Sequence, residues 1–393
     1  MEKRKFKGDS LRTHIILATF GFFIGFLLVE VLLRMLNLPW LTNRMEILNV
    51  GVRDIAFGSD ANWHVEISDN KIVRLIPFSK THLVHYEYNI VANIDEFGGR
   101  RTVTNPTAIK SNIIIPFMGD SFAFGLGVED EQTFISLLGE ESKFQYINLG
   151  LPGSALPEQL DVVEKRHKEL GSPRVYIFIF FTGNDYYFIN QDKQKDKNWE
   201  QLDFSKNKLY SWLWKVNNYV YHNPFLKKIY TIQFLKAKIL IIVNAAIKRK
   251  KGEMLLIEPI FLVMYKKNLP ELEKFLDFTL NRLISDSQRF SFKSIFIIIP
   301  DRIQVSPALL KLKLKYYGWN KEDIDPGLPN KVLRKKLQQA NIPYFDVFQC
   351  LYNKKEKLYY IQDNHLTAKG HRFIARCIGK ELEKLISSML DSR

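Results

Sequence analysis

Cysteine is nearly absent: Cys350 and Cys377 are the only two in 393 residues. Two cannot build a disulfide framework, and they form no CxxC pair of the kind that holds zinc. Two free thiols are the expected state, with a single bridge as the alternative. The sequence also lacks a phosphate-cradling GxxxxGK, a dinucleotide-type GxGxxG and any cluster of metal ligands. No metal and no cofactor is therefore expected. Internal repeats and low-complexity linkers are missing as well. Acid is short relative to base, with 42 Asp or Glu against 57 Lys or Arg and a net charge of +15.

What is present argues for a folded chain. Hydrophobic residues make up 46% and aromatics 13%, which excludes a disordered polymer. The basic excess raises the question of nucleic acid, but its distribution answers it. Residues 191–251 hold 14 Lys or Arg against 4 Asp or Glu, a net of +10. The surplus is a local patch, and no nucleic-acid partner is expected.

One long apolar run exists, at the N-terminus. Lys3, Arg4, Lys5, Lys7 and Arg12 precede it, and it extends from Ile15 to Leu33 with Glu30 as its one charge. That is close to the roughly 20 residues a helix needs to cross a bilayer. Glu30 and Arg34 stand four apart, so they share a helix face and can pair. A cleavable signal peptide would want a shorter core and a small-x-small site, and Leu33-Arg34-Met35-Leu36-Asn37 offers none. The expectation is an uncleaved, single-pass signal anchor over 14–34 in the cell membrane. Residues 1–13 form a cytoplasmic tail, and the rest lies outside by the positive-inside rule. A second apolar stretch, Ile239–Val243, is too short to span. The stretch 233–252 around it, in the basic insertion 206–251 with Trp and Tyr just upstream, is expected to form an ordinary amphipathic helix on the domain. An interfacial membrane helix is the alternative.

Beyond the anchor, 35–110 alternates apolar and polar residues as half-exposed strands do, and is expected to be a small β-rich lead-in. From 111 onward strands alternate with helices. Asn112–Met118, Phe144–Leu149, "RVYIFIFF" (174–181), "KSIFIIIP" (293–300) and "IPYFDVF" read as buried strands. Glu131–Leu138, Leu156–Leu170, "LPELEKFLDFTLNRLISDS", "KVLRKKLQQA" and the segment from Thr367 onward read as helices. The expected class is α/β: a mostly parallel sheet in three layers over 111–393, carrying the basic insertion at about 191–260. Pro116 removes one ladder hydrogen bond from the first of these strands.

In such sheets ligands gather at the carboxyl ends of the strands, and several of these ends carry unusual residues. The first strand ends in Gly119-Asp120-Ser121. The second runs into "NLGLPG", the third into "GND" (183–185), and "YYIQDNHLTAKGH" precedes the last helix. A serine hydroxyl needs a base to become a nucleophile. Histidine is the natural base, and a carboxylate fixes its tautomer. A developing oxyanion needs preorganised donors. Ser121, His365 and Asp363 are therefore the candidate catalytic set. The Ser121 and Gly153 N–H groups and the Asn184 amide are the candidate oxyanion donors. Asp363 and His365, two apart, point the same way if extended. Asp120 and Asp185 are expected to brace loops, Asp301 and Arg302 to form a turn near the site, and His371 to pack or face solvent. Each piece alone is weak, since a second Gly-Asp-Ser stands at 8–10.

The ordered set resembles the SGNH (GDSL-type) hydrolase superfamily over about 112–385. Ser121, Gly153, Asn184 and His365 match its four block residues. The resemblance implies a flavodoxin-like α/β/α domain and metal-free serine ester hydrolysis or acyl transfer. One departure is the Asp-x-His spacing at 363–365, where the family's commonest pattern is Asp-x-x-His. The expectation that follows is a membrane-anchored esterase or O-acyltransferase acting outside the cytoplasm on an acylated glycan of the cell envelope. A catalytically silent binding subunit and a lipid esterase are the alternatives.

Overall fold

The computed structural model describes residues 3–36, 65–68, 71–84, 87–186, 219, 229, 231–232, 235, 259–317, 319–361 and 363–391. The chain divides into two compact units, one of Met1–Val50 with Leu202–Leu255 and the other of Gly51–Gln201 with Leu256–Arg393. The basic insertion falls almost wholly outside the described residues, and with it the choice between a packed and an interfacial helix.

In the first unit, Lys3–Leu36 is one continuous helix. Its segment Thr13–Met35 is long and apolar enough to cross a membrane, and none of it is buried in protein. Glu30 and Arg34 pair at 2.7 Å, as their spacing predicts. The other Glu30 oxygen accepts from the Thr231 N–H and hydroxyl, at 2.7 and 2.8 Å.

The second unit is built on a five-stranded sheet. Its strands are β5 (Ile114–Met118), β6 (Gln145–Asn148), β7 (Val175–Phe181), β8 (Lys293–Ile299) and β9 (Tyr344–Asp346). All pair in parallel, in the order β6-β5-β7-β8-β9. Counted from its own first strand the order is 2-1-3-4-5, the flavodoxin-like doubly wound arrangement. β7 and β8 are apolar because both their faces are covered. Tyr176, Phe178, Phe180, Phe296 and Ile298 point into one core. Val175, Ile177, Ile179, Ile295, Ile297 and Ile299 point into the other. Helices Leu156–Arg166, Leu269–Phe290 and Leu328–Gln339 close the first core, while Phe134–Gly139 and Ala368–Asp391 close the second. Ile374, Ile378, Leu382 and Ile386 show how: one buried residue every four places one apolar stripe against the sheet. Each such aliphatic side chain contributes about 1.5–3 kcal/mol on full burial.

Pro116 leaves a visible mark. β5 pairs with β6 from Ile114, but with β7 only at Phe117 and Met118, just past the residue that lacks an N–H. The single helix expected over Glu131–Leu138 is instead two short pieces, Asp130–Gln132 and Phe134–Gly139. Thr133 divides them by capping the second with its hydroxyl. The lead-in forms two antiparallel pairs, β1 (Val65–Ser68) with β2 (Lys71–Leu75) and β3 (Lys80–Val84) with β4 (Asn89–Asn93). Leu75, Leu83, Ile90, Ala92 and Ile94 join the first core, so the lead-in packs as part of this unit.

The cysteine expectation is corrected. Cys350 and Cys377 are bonded, and no free cysteine remains. The short helix Phe348–Leu351 lies against the closing helix at this point, which brings two residues 27 apart in sequence to a Cα separation of 6.4 Å. That distance is within the range a bridge requires.

Candidate active site

β5 and β7 flank the point where strand order reverses, and a crevice is expected outside their carboxyl ends. β5 runs into Gly119-Asp120-Ser121 there. Glycine is required at 119, because a Cβ would stand 2.6 Å from Ala123 Cβ and 2.8 Å from Ile179 Cβ. Asp120 caps the short helix Ser121–Phe124 by accepting from the Phe122 N–H at 2.8 Å. Ser121 thus sits at the first helical position, just past the carboxyl end of β5.

Two further strand ends are tied to this turn. After β6, the Leu151 N–H donates to the Gly119 carbonyl at 2.8 Å and the Ser154 hydroxyl to the same oxygen at 3.1 Å. Asn148 adds a second tie, accepting from the Gly150 N–H and donating to the Ala123 carbonyl. Gly153, between these anchors, is in the left-handed region at φ +84°, with open space where a Cβ would be. After β7, Asn184 donates its amide N–H to Asp120 Oδ2 at 3.2 Å. A carboxylate can only accept, so this contact fixes which end of the amide carries nitrogen. Asn184 Oδ1 is buried without a partner. Asp185 accepts from the Phe181 N–H at 2.8 Å.

The fourth segment completes the set. Ser121 Oγ lies 2.7 Å from His365 Nε2, and His365 Nδ1 lies 2.8 Å from Asp363 Oδ2. The carboxylate accepts from Nδ1–H, so Nε2 of the neutral ring has a lone pair for the serine proton. The Phe122 ring lies against the imidazole at 4.9 Å between centroids. Asn364, between acid and base, takes φ +66°, and its amide donates to Asp301 Oδ2 at 2.9 Å. A left-handed residue between Asp363 and His365 turns both side chains onto one line despite the Asp-x-His spacing. An extended run is not how this is achieved, contrary to the simplest expectation.

The residues singled out as the catalytic and oxyanion set are brought to this end of the sheet. Ser121, His365 and Asp363 form one hydrogen-bonded chain, and Gly153 and Asn184 are held on loops bonded to the serine turn. Asp120 and Asp185 brace, as expected. Burial is the main cause that raises both their pKa values, and the Asp120 charge pushes Asp185 further up. Asp301 caps the helix Arg302–Val305, while Arg302 donates to the carbonyls of Tyr360 and Ile361. His371 is fully buried; its Nδ1 accepts from the Phe134 N–H at 3.1 Å. Burial, and next the positive charge of Arg100, lower its pKa to about 3.

Several positioning residues have no sequence signal. Arg100, buried at the end of the lead-in, pairs with Asp130 at 2.9 Å and donates to the carbonyls of Gly125 and Val128. It fixes the loop that follows the serine helix. Asn148 reads as an ordinary strand end.

No family model and no curated protein matches the chain. Solved structures do. An acetyl xylan esterase is 15% identical, with a TM-score of 0.35, over 69% of this chain and 100% of its own. A GDSL-like lipase from Bacteroides thetaiotaomicron is 13% identical, with a TM-score of 0.34, over 70% and 90%. An acetylxylan esterase from Geobacillus stearothermophilus is 13% identical, with a TM-score of 0.33, over 72% and 96%.

Proposed function

We propose that the chain is a serine esterase or O-acyltransferase that works through an acyl-enzyme on Ser121. The observation that carries this is the relay from Asp363 through His365 to Ser121, with bonds of 2.8 and 2.7 Å. Ser121 Oγ attacks the ester carbonyl while His365 Nε2 takes its proton, and Asp363 stabilises the imidazolium. The Ser121 and Gly153 N–H groups and the Asn184 amide receive the oxyanion. As the ester C–O bond breaks, His365 returns the proton to the leaving alkoxide. Water or a sugar hydroxyl then attacks the acyl-serine, again with His365 as base; the acyl–Oγ bond breaks and His365 returns the proton to Ser121 Oγ. A 2.7 Å serine–histidine contact gives no support to a catalytically silent binding subunit.

The substrate class follows from enclosure and address. Ser121 is only 6% exposed, which suits a small acyl group such as acetyl better than a long chain. The apolar helix Thr13–Met35 serves as the membrane anchor, and the basic residues before it keep the N-terminus in the cytoplasm. The remainder then lies outside, where the Cys350–Cys377 bridge is stable. An O-acylated glycan of the envelope is the acceptor or donor that such a location offers. Ser121→Ala should abolish turnover of p-nitrophenyl acetate and labelling by a fluorophosphonate; retention of either removes Ser121 from the mechanism. Activity that rises with acyl length would favour a lipid substrate.

A further inference from the structure

We infer that Glu87, in the lead-in, is a positioning residue for the acid–base pair. The inference rests on the Ser121–His365–Asp363 reading and adds a side chain that reading lacks. Asp363 and His365 stand outside any helix or strand, and Asn364 between them is left-handed. The Tyr360 N–H closes the turn on the His365 carbonyl at 2.8 Å, and the main chain of Asp363 is held from elsewhere. The Ile361 N–H donates to Glu87 Oε1 at 2.8 Å, and the Asp363 N–H donates to Glu87 Oε2 at 3.1 Å. One carboxylate therefore grips the backbone on either side of residue 362. From the other direction, Arg302 Nη1 donates to the carbonyls of Tyr360 and Ile361. The loop's N–H groups meet an anion and its carbonyls meet a cation, and such charge-assisted bonds are stronger than neutral ones.

Neighbouring contacts fix Glu87 itself. Its side chain is 7% exposed and pairs with Lys357 at 3.3 Å. The next residue, Tyr88, lies against Tyr360 at 5.2 Å between ring centroids, and the Tyr360 hydroxyl donates to the Gly127 carbonyl at 2.7 Å. Glu87 thus sets the main chain of Asp363, and through it the point where the carboxylate meets His365 Nδ1. It touches no reacting atom. A misplacement of about 1 Å in such a constellation costs on the order of 100-fold in rate.

An amide can accept with only one of its two terminal atoms, so Glu87→Gln removes one loop bond at constant shape. The test compares Glu87→Gln, Glu87→Asp and Glu87→Ala with Lys357→Ala, which removes only the exposed ion pair. Kinetics on p-nitrophenyl acetate, melting temperature and the far-downfield proton resonance of the His365–Asp363 bond are read together. Glu87→Gln and Glu87→Ala should lower kcat about 10- to 100-fold with KM nearly unchanged, and should broaden or shift the resonance. Glu87→Asp should fall between them and wild type, and Lys357→Ala should match wild type. Unchanged kcat and resonance in Glu87→Gln overturn the inference, as does a drop in melting temperature with kcat retained. If Glu87→Ala does not fold, the Gln and Asp variants decide. A wild-type protein without turnover or phosphonate labelling overturns the esterase reading alone, since the resonance still tests Glu87. A wild type without the resonance overturns both.

Discussion

The serine side and the histidine side of the candidate site are held by different means. Ser121 is fixed by partners closer in sequence: the Asp120 cap two residues from Phe122, and the Leu151 and Ser154 bonds to Gly119 from the next strand end. Its turn follows directly from a strand in the middle of the sheet. The segment 360–365 has one such bond, from the Tyr360 N–H to the His365 carbonyl at 2.8 Å, and its other ties are long-range. It is held by Glu87, which lies 274 and 276 residues from the N–H groups it accepts, and by Arg302 and Asp301, 58 to 63 residues away. One half is thus set by partners within 64 residues, while the other also needs a partner 274 and 276 residues away.

The largest expected effect breaks the second half at its chemical centre. Asp363→Asn should leave the fold intact and reduce kcat by about 10⁴-fold, because the amide can donate to Nδ1 and so select the wrong tautomer. A loss below about 10-fold would mean that the carboxylate does not set the ring. On the local half, Asn184→Ala should cost roughly 10²–10³ in kcat, the usual weight of one oxyanion donor. It also frees Asp120 Oδ2, so the melting temperature should be measured in parallel. An Asn184→Ala effect larger than that of Asp363→Asn would reverse the ranking of the two halves.

The smallest effect concerns the joint between them. His371, on the closing helix, accepts from the Phe134 N–H, 237 residues away. Its pKa is lowered to about 3 by burial, whereas an exposed histidine titrates near 6.5. Between those values the unfolded chain binds the proton and the folded one does not. Its stability contribution is therefore complete above about pH 6.5 and is lost as pH falls toward 3. Against His371→Gln, the wild type should lose about 1.4 kcal/mol of unfolding free energy per pH unit across that window. Asp95, raised to about 7 by burial, acts in the opposite sense and cancels in the difference. A flat difference from pH 7 to 4 in denaturant melts would show that the ring is accessible to protons in the fold.

This contrast also explains what was legible in the sequence. The sheet could be read because β7 and β8 are apolar on both faces, a pattern that only coverage on both sides produces. Ser121, Gly153 and Asn184 could be read because each follows a strand within a few residues. His365 and Asp363 were legible by residue type, but their alignment depends on the left-handed Asn364, for which their spacing gave no cue. Glu87 and Arg100 could not be read, since a carboxylate or guanidinium whose partners lie far along the chain looks like any surface charge. The cysteines failed for the same reason: their count is visible, but the helix contact that joins them is not.

The clamp by Glu87 has a consequence for the order of synthesis. Residue 87 leaves the ribosome well before the backbone amides it holds, which are 274 and 276 positions downstream. Until those residues arrive, its carboxylate lacks the two amides it holds in the fold. A nascent chain can therefore form the Ser121 turn before the loop that carries Asp363 and His365 is held in place. The line of contacts from Asp363 through His365 to Ser121 is held in place only once the loop around 361–365 docks against the lead-in.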